Sequence, residues 1–459
     1  MPEKTAPQGI TGITISGFKS LREESHIDVR PLTILAGANS SGKSSIMQPL
    51  LLMKQTLEMS HDPGTFRLDG ENIRFTSVEQ FLLPSDGKTY QNFVIGIQVD
   101  NTSALTCNYR KVAKNIEVTR MEIRSPRINA ELRPGMLERD IFVQLPSFEK
   151  PAKDLSKLIS ENSVAEWKVD RNRCFLSLRL FMGRDDEPRN QIILIDGFPG
   201  FELWDKYAGH IKHMIHVPGL RGNPQRNYPV TTALGPEFQA TFQYYIAGII
   251  NDWKEHRPKR LKLLGNDMER LGLTWKIDAK RLDDTQVELR VGRLPKSKRG
   301  GARDMVSIAD VGFGVSQVLP VVVALLAAQP GQLVYIEQPE IHLHPRAQVA
   351  LAAILANAAR RGVRVIVETH SALLIQGVQT LVASKQLDPD QVILHWFTRR
   401  DDGSTQITSR ELDTLGAYGD WPEDFADVQF ETDSAYLDIV EQRRAEDMNG
   451  YQEPEMSGD

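Results

Sequence analysis

The hydrophobic pattern is clearest toward the two ends of the chain. ITGITISGF, from Ile10, alternates apolar and polar residues like a half-buried strand, and PLTILAG is a short apolar strand ending at Gly37. A turn rich in glycine and serine follows. SSIMQPLLLMKQTL then spaces its apolar positions as a buried helix does. After about residue 305 the same kind of pattern returns. VSQVLPVVVALLAA reads as a helix, LVYI as a buried strand, PRAQVALAAILANAAR as a helix opened by Pro345, and GVRVIVETHS as a second buried strand with a polar end. Short apolar strands alternating with helices predict a largely parallel sheet.

Between about 60 and 300 the pattern is less regular. Short strand-like runs (NFVIGIQV, RCFLSLRLF, NQIILID) alternate with polar loops, and GPEFQATFQYYIAGIINDWKEH, Gly235 to His256, predicts a helix. No repeat or long low-complexity tract interrupts the chain. A basic loop, RLPKSKRGGAR, carries Arg293, Lys296, Lys298, Arg299 and Arg303 with Pro295, Gly300 and Gly301 among them. The last seventy or so residues read as an appended α/β piece ending in an acidic, disordered tail, AEDMNGYQEPEMSGD.

Composition narrows this picture without redirecting it. The 459 residues suggest more than one structural unit, and 41% hydrophobic with 25% charged residues is ordinary for a soluble protein. With 55 Lys+Arg against 60 Asp+Glu there is no global pull toward nucleic acid. The two cysteines, Cys107 and Cys174, lack metal-site spacing and fit a reducing compartment. The N-terminal MPEKTAPQGITG has no charged start followed by an apolar run. The longest apolar run, Val318 to Ala328, is too short to span a membrane. The expectation is a cytoplasmic protein.

Four motifs carry chemistry. Gly37-Ala38-Asn39-Ser40-Ser41-Gly42-Lys43-Ser44 satisfies GxxxxGK[ST] between a strand and a helix. Its glycines let backbone N–H groups face phosphates, Lys43 reaches the β- and γ-phosphates, and Ser44 ligates Mg2+. LVYIEQPEIHLHP ends an apolar strand in Glu337, where a phosphate-loop enzyme keeps a carboxylate that helps hold Mg2+. VIVETHS puts His370 just past a strand, within reach of a γ-phosphate or attacking water. DVGFGVSQ, Asp310 to Gln317, opens a helix with a glycine turn whose amides suit an anion.

In this order, GANSSGKSS, DVGFGVSQVLP, IEQPEIHLHP and ETHS resemble the ABC-type ATPases of the SMC, RecF and OLD group, nearest to bacterial stand-alone ATPases with a short C-terminal extension. GDWPEDF, Gly419 to Phe425, looks like the signature of that extension, and HVPGLRGNPQRNYP is the loose match in the middle. The implied fold is α/β: an ABC/SMC-type P-loop ATPase head split by an inserted α+β arm or lid, with a small C-terminal extension. The implied boundaries are 1–95 for the N-terminal lobe, 96–300 for the arm, 301–385 for the C-terminal lobe, 386–445 for the extension and 446–459 for the tail.

The resemblance implies ATP and Mg2+ as cofactors and an ATP-sandwiched homodimer, with higher oligomers left open. Lys43, Ser44 and the loop residues Gly37, Asn39, Ser40, Ser41, Gly42 and Ser45 would hold nucleotide. Ser44 and Glu337 would hold the metal. Gly312, Gly314 and Ser316 would meet the partner's nucleotide, His370 would be the switch histidine, and His342 and His344 would face the opposite head. Three positions depart from the family pattern. Gly312 stands for the signature serine. The glutamine-loop residue is unassigned, with Gln48 and Gln80 as candidates. Gln338 stands for the catalytic glutamate. Three accounts of Gln338 remain open: it positions water slowly, Glu340 or Glu368 supplies the base, or ATP is a structural ligand.

The implied role is an ATP-controlled switch in a bacterial anti-phage or anti-plasmid system, gating a separate effector such as a nuclease. No DxD-type acidic cluster follows His370: Asp388 and Asp390 lie in the turn LDPDQ, and Asp401 and Asp402 in RRDDGS. The alternative is a RecF/SMC-like ATPase of DNA repair or chromosome maintenance. It would bind DNA through the basic loop with Arg221 and Arg226. A third is a scaffold that ATP only assembles.

Overall fold

The computed structural model describes residues 9–82, 84–85, 88–89, 91–159, 164–183, 191–193, 204–230, 237–238, 241–293 and 304–419, with 434, 437–441 and 443 beyond them. The chain forms two compact units, Met1–Ala417 and Tyr418–Asp459. In the second, residues 437–441 are helical. Residues 294–303 of the basic loop, residues 420–425 of GDWPEDF and the acidic tail lie outside the described residues.

The first unit is organised by one central sheet. Its strands run in the order Ile215–Val217, Leu333–Glu337, Arg364–Glu368, Leu32–Gly37, Val392–Arg399 and Thr405–Arg410. The first five are mutually parallel and the last pairs antiparallel at the edge. The inner strands read as unbroken apolar runs because both faces are covered: every residue of Leu32–Gly37 and Arg364–Glu368 is buried. The sheet joins residues from the start, middle and end of the chain.

Beside it stands a six-stranded antiparallel sheet, in the order Ser25–Asp28, Ile10–Ser16, Asn92–Val99, Ser103–Val112, Asn115–Arg124 and Asn129–Leu132. The helix Lys43–Leu57 packs with residues of both sheets in one core. Ile46, Met47, Leu50 and Leu51 cluster with Ile13, Ile15, Ile95 and Leu105 of the antiparallel sheet and with Leu35, Tyr335 and Ile366 of the central one. The helix is buried nearly all round, so even its polar residues Lys54, Gln55 and Thr56 are enclosed, with Lys54 Nζ held by the Lys212 and Phe238 carbonyls. Leu50, Leu51 and Leu52 are each 1% exposed or less, and burying each contributes about 2 kcal/mol.

The expected boundaries shift accordingly. Residues 96–132 continue the antiparallel sheet that contains Ile10–Ser16, so no arm begins at 96. Nor does an extension begin at 386. Val392–Arg399 hydrogen-bonds directly to Leu32–Gly37, and the break between compact units falls at Ala417. Backbone pairing overrode composition in both places. The helix expected over Gly235–His256 is regular from Ile246 to His256, after a 3-10 turn at Phe242–Tyr245 that extended Thr241 starts. Among the described residues, no helix is long and apolar enough to cross a membrane.

Candidate active site

The phosphate loop leaves the central strand through three left-handed residues, Gly37 (φ 140°), Ser40 (φ 60°) and Gly42 (φ 99°). A Cβ at Gly37 would lie 2.2 Å from the Phe397 carbonyl oxygen, and one at Gly42 would lie 2.3 Å from Thr405 Oγ1. Both glycines are therefore required by close approach as well as by φ. The neighbours come from the C-terminal hairpin. Thr405 Oγ1 lies 2.7 Å from both the Ser41 carbonyl and Ser20 Oγ, and Arg399 Nη1 donates to the Ser40 carbonyl at 3.3 Å.

Lys43 Nζ donates to the Gly37 and Ala38 carbonyls, at 3.1 and 2.8 Å. Burial lowers its pKa from the usual lysine value, against the attraction of Glu368 and Glu340. The next residue, Ser44, donates its hydroxyl to Glu368 Oε1 and Oε2, at 3.0 and 2.8 Å. The carboxylate that Ser44 meets is thus that of Glu368 rather than Glu337. The reason is strand order: Arg364–Glu368 lies next to the phosphate-loop strand and Leu333–Glu337 one strand further away.

Glu337 is committed elsewhere. Its carboxylate meets His216 Nε2 at 3.1 Å and accepts the Gly219 N–H at 3.0 Å. Burial alone would raise its pKa, but His216, Gly219 and Tyr335 together hold it below the ordinary glutamate value. His216 stacks on Tyr335 with ring centroids 5.3 Å apart, and the Tyr335 hydroxyl donates to Glu368 Oε2 at 2.9 Å. Burial, foremost, and the Glu337 charge raise the Glu368 carboxyl, against hydrogen bonds from Ser44 and Tyr335 and the Lys43 charge.

Past the strand end, Gln338 adopts φ 42° and donates its N–H to the Glu368 carbonyl at 2.7 Å. Arg221 Nη2 donates to the carbonyls of Glu337 and Gln338 at 2.6 and 3.4 Å. Glu340 Oε1 accepts the His370 N–H at 2.8 Å, while Glu340 Oε2 is buried with no partner among the described residues. His370 has its pKa lowered by burial and then by Lys43, against a hydrogen bond to the Gly37 backbone, so its ring is neutral near pH 7.

These groups surround a cleft of about 650 Å3. Its lining includes Asn39, Ser40, Gly42, Lys43, Ser44, Ser45, Gln48, Gln338, Glu368 and His370. Gln48 Oε1 is buried without a partner among the described residues, whereas Gln80 lies outside the cleft, its Oε1 accepting the Thr76 N–H. Glu337 and Glu340 do not line the cleft, and neither do Gly312, Gly314 and Ser316. The turn bearing those three begins the helix Phe313–Ala327, with Phe313 55% exposed and its ring 6.1 Å from that of His342. His344 caps the helix Pro345–Arg360, its Nδ1 accepting from Arg346 N.

Lys19, Ser20, Arg22, Arg399 and Gly403 also line the cleft, and sequence reasoning missed them. The turn carrying Lys19 and Ser20 is seated by Phe18, which stacks on Phe81 at 5.0 Å. The only signal was the cation–hydroxyl pair inside GFKS, which no spacing rule singles out. Arg221 and Arg226, expected as DNA contacts, are engaged within the chain. Arg221 is 8% exposed, and Arg226 pairs with Asp310 at 2.7 and 3.1 Å.

The cleft suits a magnesium nucleotide. Ser41 Oγ is buried without a partner among the described residues, Gly37 and Gly42 take the positive-φ turns of the loop, and a hydroxyl and a carboxylate meet where a hard cation takes oxygen ligands. The loop from Gly37 to Ser45 would hold phosphates, and Ser44 with Glu368 would hold Mg2+, which neutralises phosphate charge when bound.

The family described as "AAA ATPase domain" matches residues 9–172, and that described as "AAA domain, putative AbiEii toxin, Type IV TA system" matches residues 270–376. No curated protein matches the sequence. Among solved structures, an Smc head bound to the C-terminal winged-helix domain of ScpA overlaps with a TM-score of 0.44 at 12% identity, over 88% of this chain and 98% of the other. The SMC head domain from Thermotoga maritima gives 0.39 at 11%, over 87% and 98%. An Smc head with an extended coiled coil, bound to the C-terminal domain of ScpA and derived from Pyrococcus furiosus, gives 0.41 at 11%, over 88% and 96%. The assignment rests on the two family matches, which flank the middle of the chain and meet in one sheet. Both stretches thus match AAA ATPase families, and the phosphate loop of the first is seated on the sheet that the two share.

Proposed function

We propose that the chain is a slow Mg2+-dependent ATPase whose ATP-bound homodimer is a nucleotide-controlled switch, in a bacterial defence system against phage or plasmids, gating a separate effector such as a nuclease. The observation that carries the slow switch is Gln338. Gln338 lines the cleft with Lys43 and His370, where the resemblance puts a glutamate. An amide orients an attacking water without taking its proton, so turnover proceeds by positioning and electrostatics alone.

Two further observations support the reading. The Gly312–Ser316 turn lies outside its own cleft beside exposed Phe313 and His342, as a surface meeting a second head would. Val392–Arg399 and Thr405–Arg410 belong to the central sheet rather than to an appended effector fold. The defence role follows the family description that names a toxin of a toxin–antitoxin system. The DNA-repair alternative loses two of its supports, because Arg221 and Arg226 are engaged inside the chain.

ATP turnover by wild type, Lys43→Ala and Gln338→Glu tests the proposal. Lys43→Ala should be inactive, and Gln338→Glu should be faster than wild type by about a hundredfold, the lower end of what general bases supply. A Gln338→Glu enzyme no faster than wild type would sink the slow-site reading. Mass measurement with and without ATP tests the dimer separately.

A further inference from the structure

Arg221 belongs to the middle of the chain but reaches into the catalytic strand end. Nη1 donates to the Gln317 carbonyl at 3.0 Å, while Nη2 donates to the Glu337 carbonyl at 2.6 Å and approaches that of Gln338 at 3.4 Å. The contact is reciprocal. Gln317 Nε2 donates to the Arg221 and Gly222 carbonyls, at 3.2 and 3.3 Å. Gln317 sits in the first turns of the helix that the Gly312 turn opens. One guanidinium therefore ties the helix that the Gly312 turn opens to the turn that carries Gln338 at the cleft.

The cation is an expensive way to make this joint. Arg221 is 8% exposed, its Nε finds no partner among the described residues, and a buried charge costs several kcal/mol to desolvate. Burial pushes its pKa down to about 10, with Glu340 and Glu337 opposing, so it remains charged at neutral pH. A planar fork holds carbonyls on two separate elements in one fixed geometry, whereas the three donors of an ammonium rotate on a flexible stem. Glu340, in turn, grips the His370 N–H.

We propose that Arg221 couples the two ATP sites of the dimer. Contact of one protomer's Gly312 turn with the partner's nucleotide is relayed through Gln317 and Arg221 to the Glu337–Gln338 turn of the first protomer's own site. Arg221 is a positioning residue here. The inference rests on the dimer proposed above.

The experiment measures turnover against ATP concentration for wild type, Arg221→Lys and Gln317→Leu, beside mass with and without ATP and the affinity for a fluorescent ATP analogue. Wild type should dimerise with ATP and show a Hill coefficient between one and the two sites present. Arg221→Lys should keep analogue affinity within about threefold but lose cooperativity, with turnover down about tenfold, inside the usual range of coupling. Gln317→Leu, which keeps the cation, should move the same way by less, and it serves if Arg221→Lys does not fold. Cooperative turnover in Arg221→Lys, or non-cooperative turnover in a wild type that does dimerise, overturns the proposal. A wild type that stays monomeric with ATP overturns the dimer instead, and the coupling with it.

Discussion

Ser44 donates its hydroxyl to both carboxylate oxygens of Glu368, while Glu337 one strand away is held by His216 and Gly219. The two glutamates are register partners on adjacent parallel strands, so their different surroundings divide the work between them. Removing the Glu368 charge should therefore hurt more than removing that of Glu337. Glu368→Gln should lower turnover at saturating Mg-ATP by about a hundredfold, the lower end of what a positioned charge or base contributes. Glu337→Gln should lower it less. Steady-state kinetics on the two variants decides, and the reverse ranking would return the metal side to Glu337.

Gly42 has no room for a side chain. Gly42→Ala brings a methyl against Thr405 Oγ1 and Ser20 Oγ at a φ of 99°. The backbone conformation alone costs about 1–2 kcal/mol. Thermal unfolding should show a lower Tm, and nucleotide affinity should fall because the hairpin must move off the loop.

His395 is a buried neutral histidine in the central sheet. Its Nε2–H donates to the Asp28 carbonyl and Nδ1 accepts from Ser409 Oγ, each at 2.8 Å. Burial lowers its pKa to about 4, against a hydrogen bond to Asp28. Between pH 6.5 and about 4 the unfolded chain binds a proton that the folded one refuses. Stability is therefore fully present above 6.5 and is lost as pH falls toward 4, by about 2 kcal/mol at pH 5. Urea unfolding at pH 7 and pH 5 should show the loss, and His395→Gln should remove that part of the slope.

Cys107 and Cys174 should be silent to thiol reagents in the folded protein. Both are fully buried, and burial pushes Cys107 up to about 12 and Cys174 well above its ordinary value. Thiolate is the reacting form. At pH 8 a colorimetric thiol assay should read neither until denaturant is added. Rapid labelling of native protein would show that the core opens.

The phosphate loop, the strand before it, the helix after it and the strand ends at Glu337 and Glu368 were legible because each is a local pattern. What escaped were partnerships across long stretches of chain. LVYIEQ does not show that Glu337 will be claimed by His216, 121 positions earlier, nor VIVETHS that Glu368 will meet Ser44, 324 positions earlier. Lys19, Arg22 and Arg399 escaped for the same reason. Their roles come from sheet order, which sets neighbours that no spacing announces. Arg221 looked like a DNA contact because its charge was visible and its burial was not.

The phosphate-loop strand is made near the start of synthesis, yet both strands that flank it, Arg364–Glu368 and Val392–Arg399, are made near the end. A nascent chain cannot seat its own nucleotide loop until the ribosome has passed residue 399 and the hairpin that follows has folded over Gly42. Nucleotide binding then reports a completed central sheet. A protein truncated before that hairpin lacks Arg399, Gly403 and Thr405, and with them one wall of the phosphate-loop cleft.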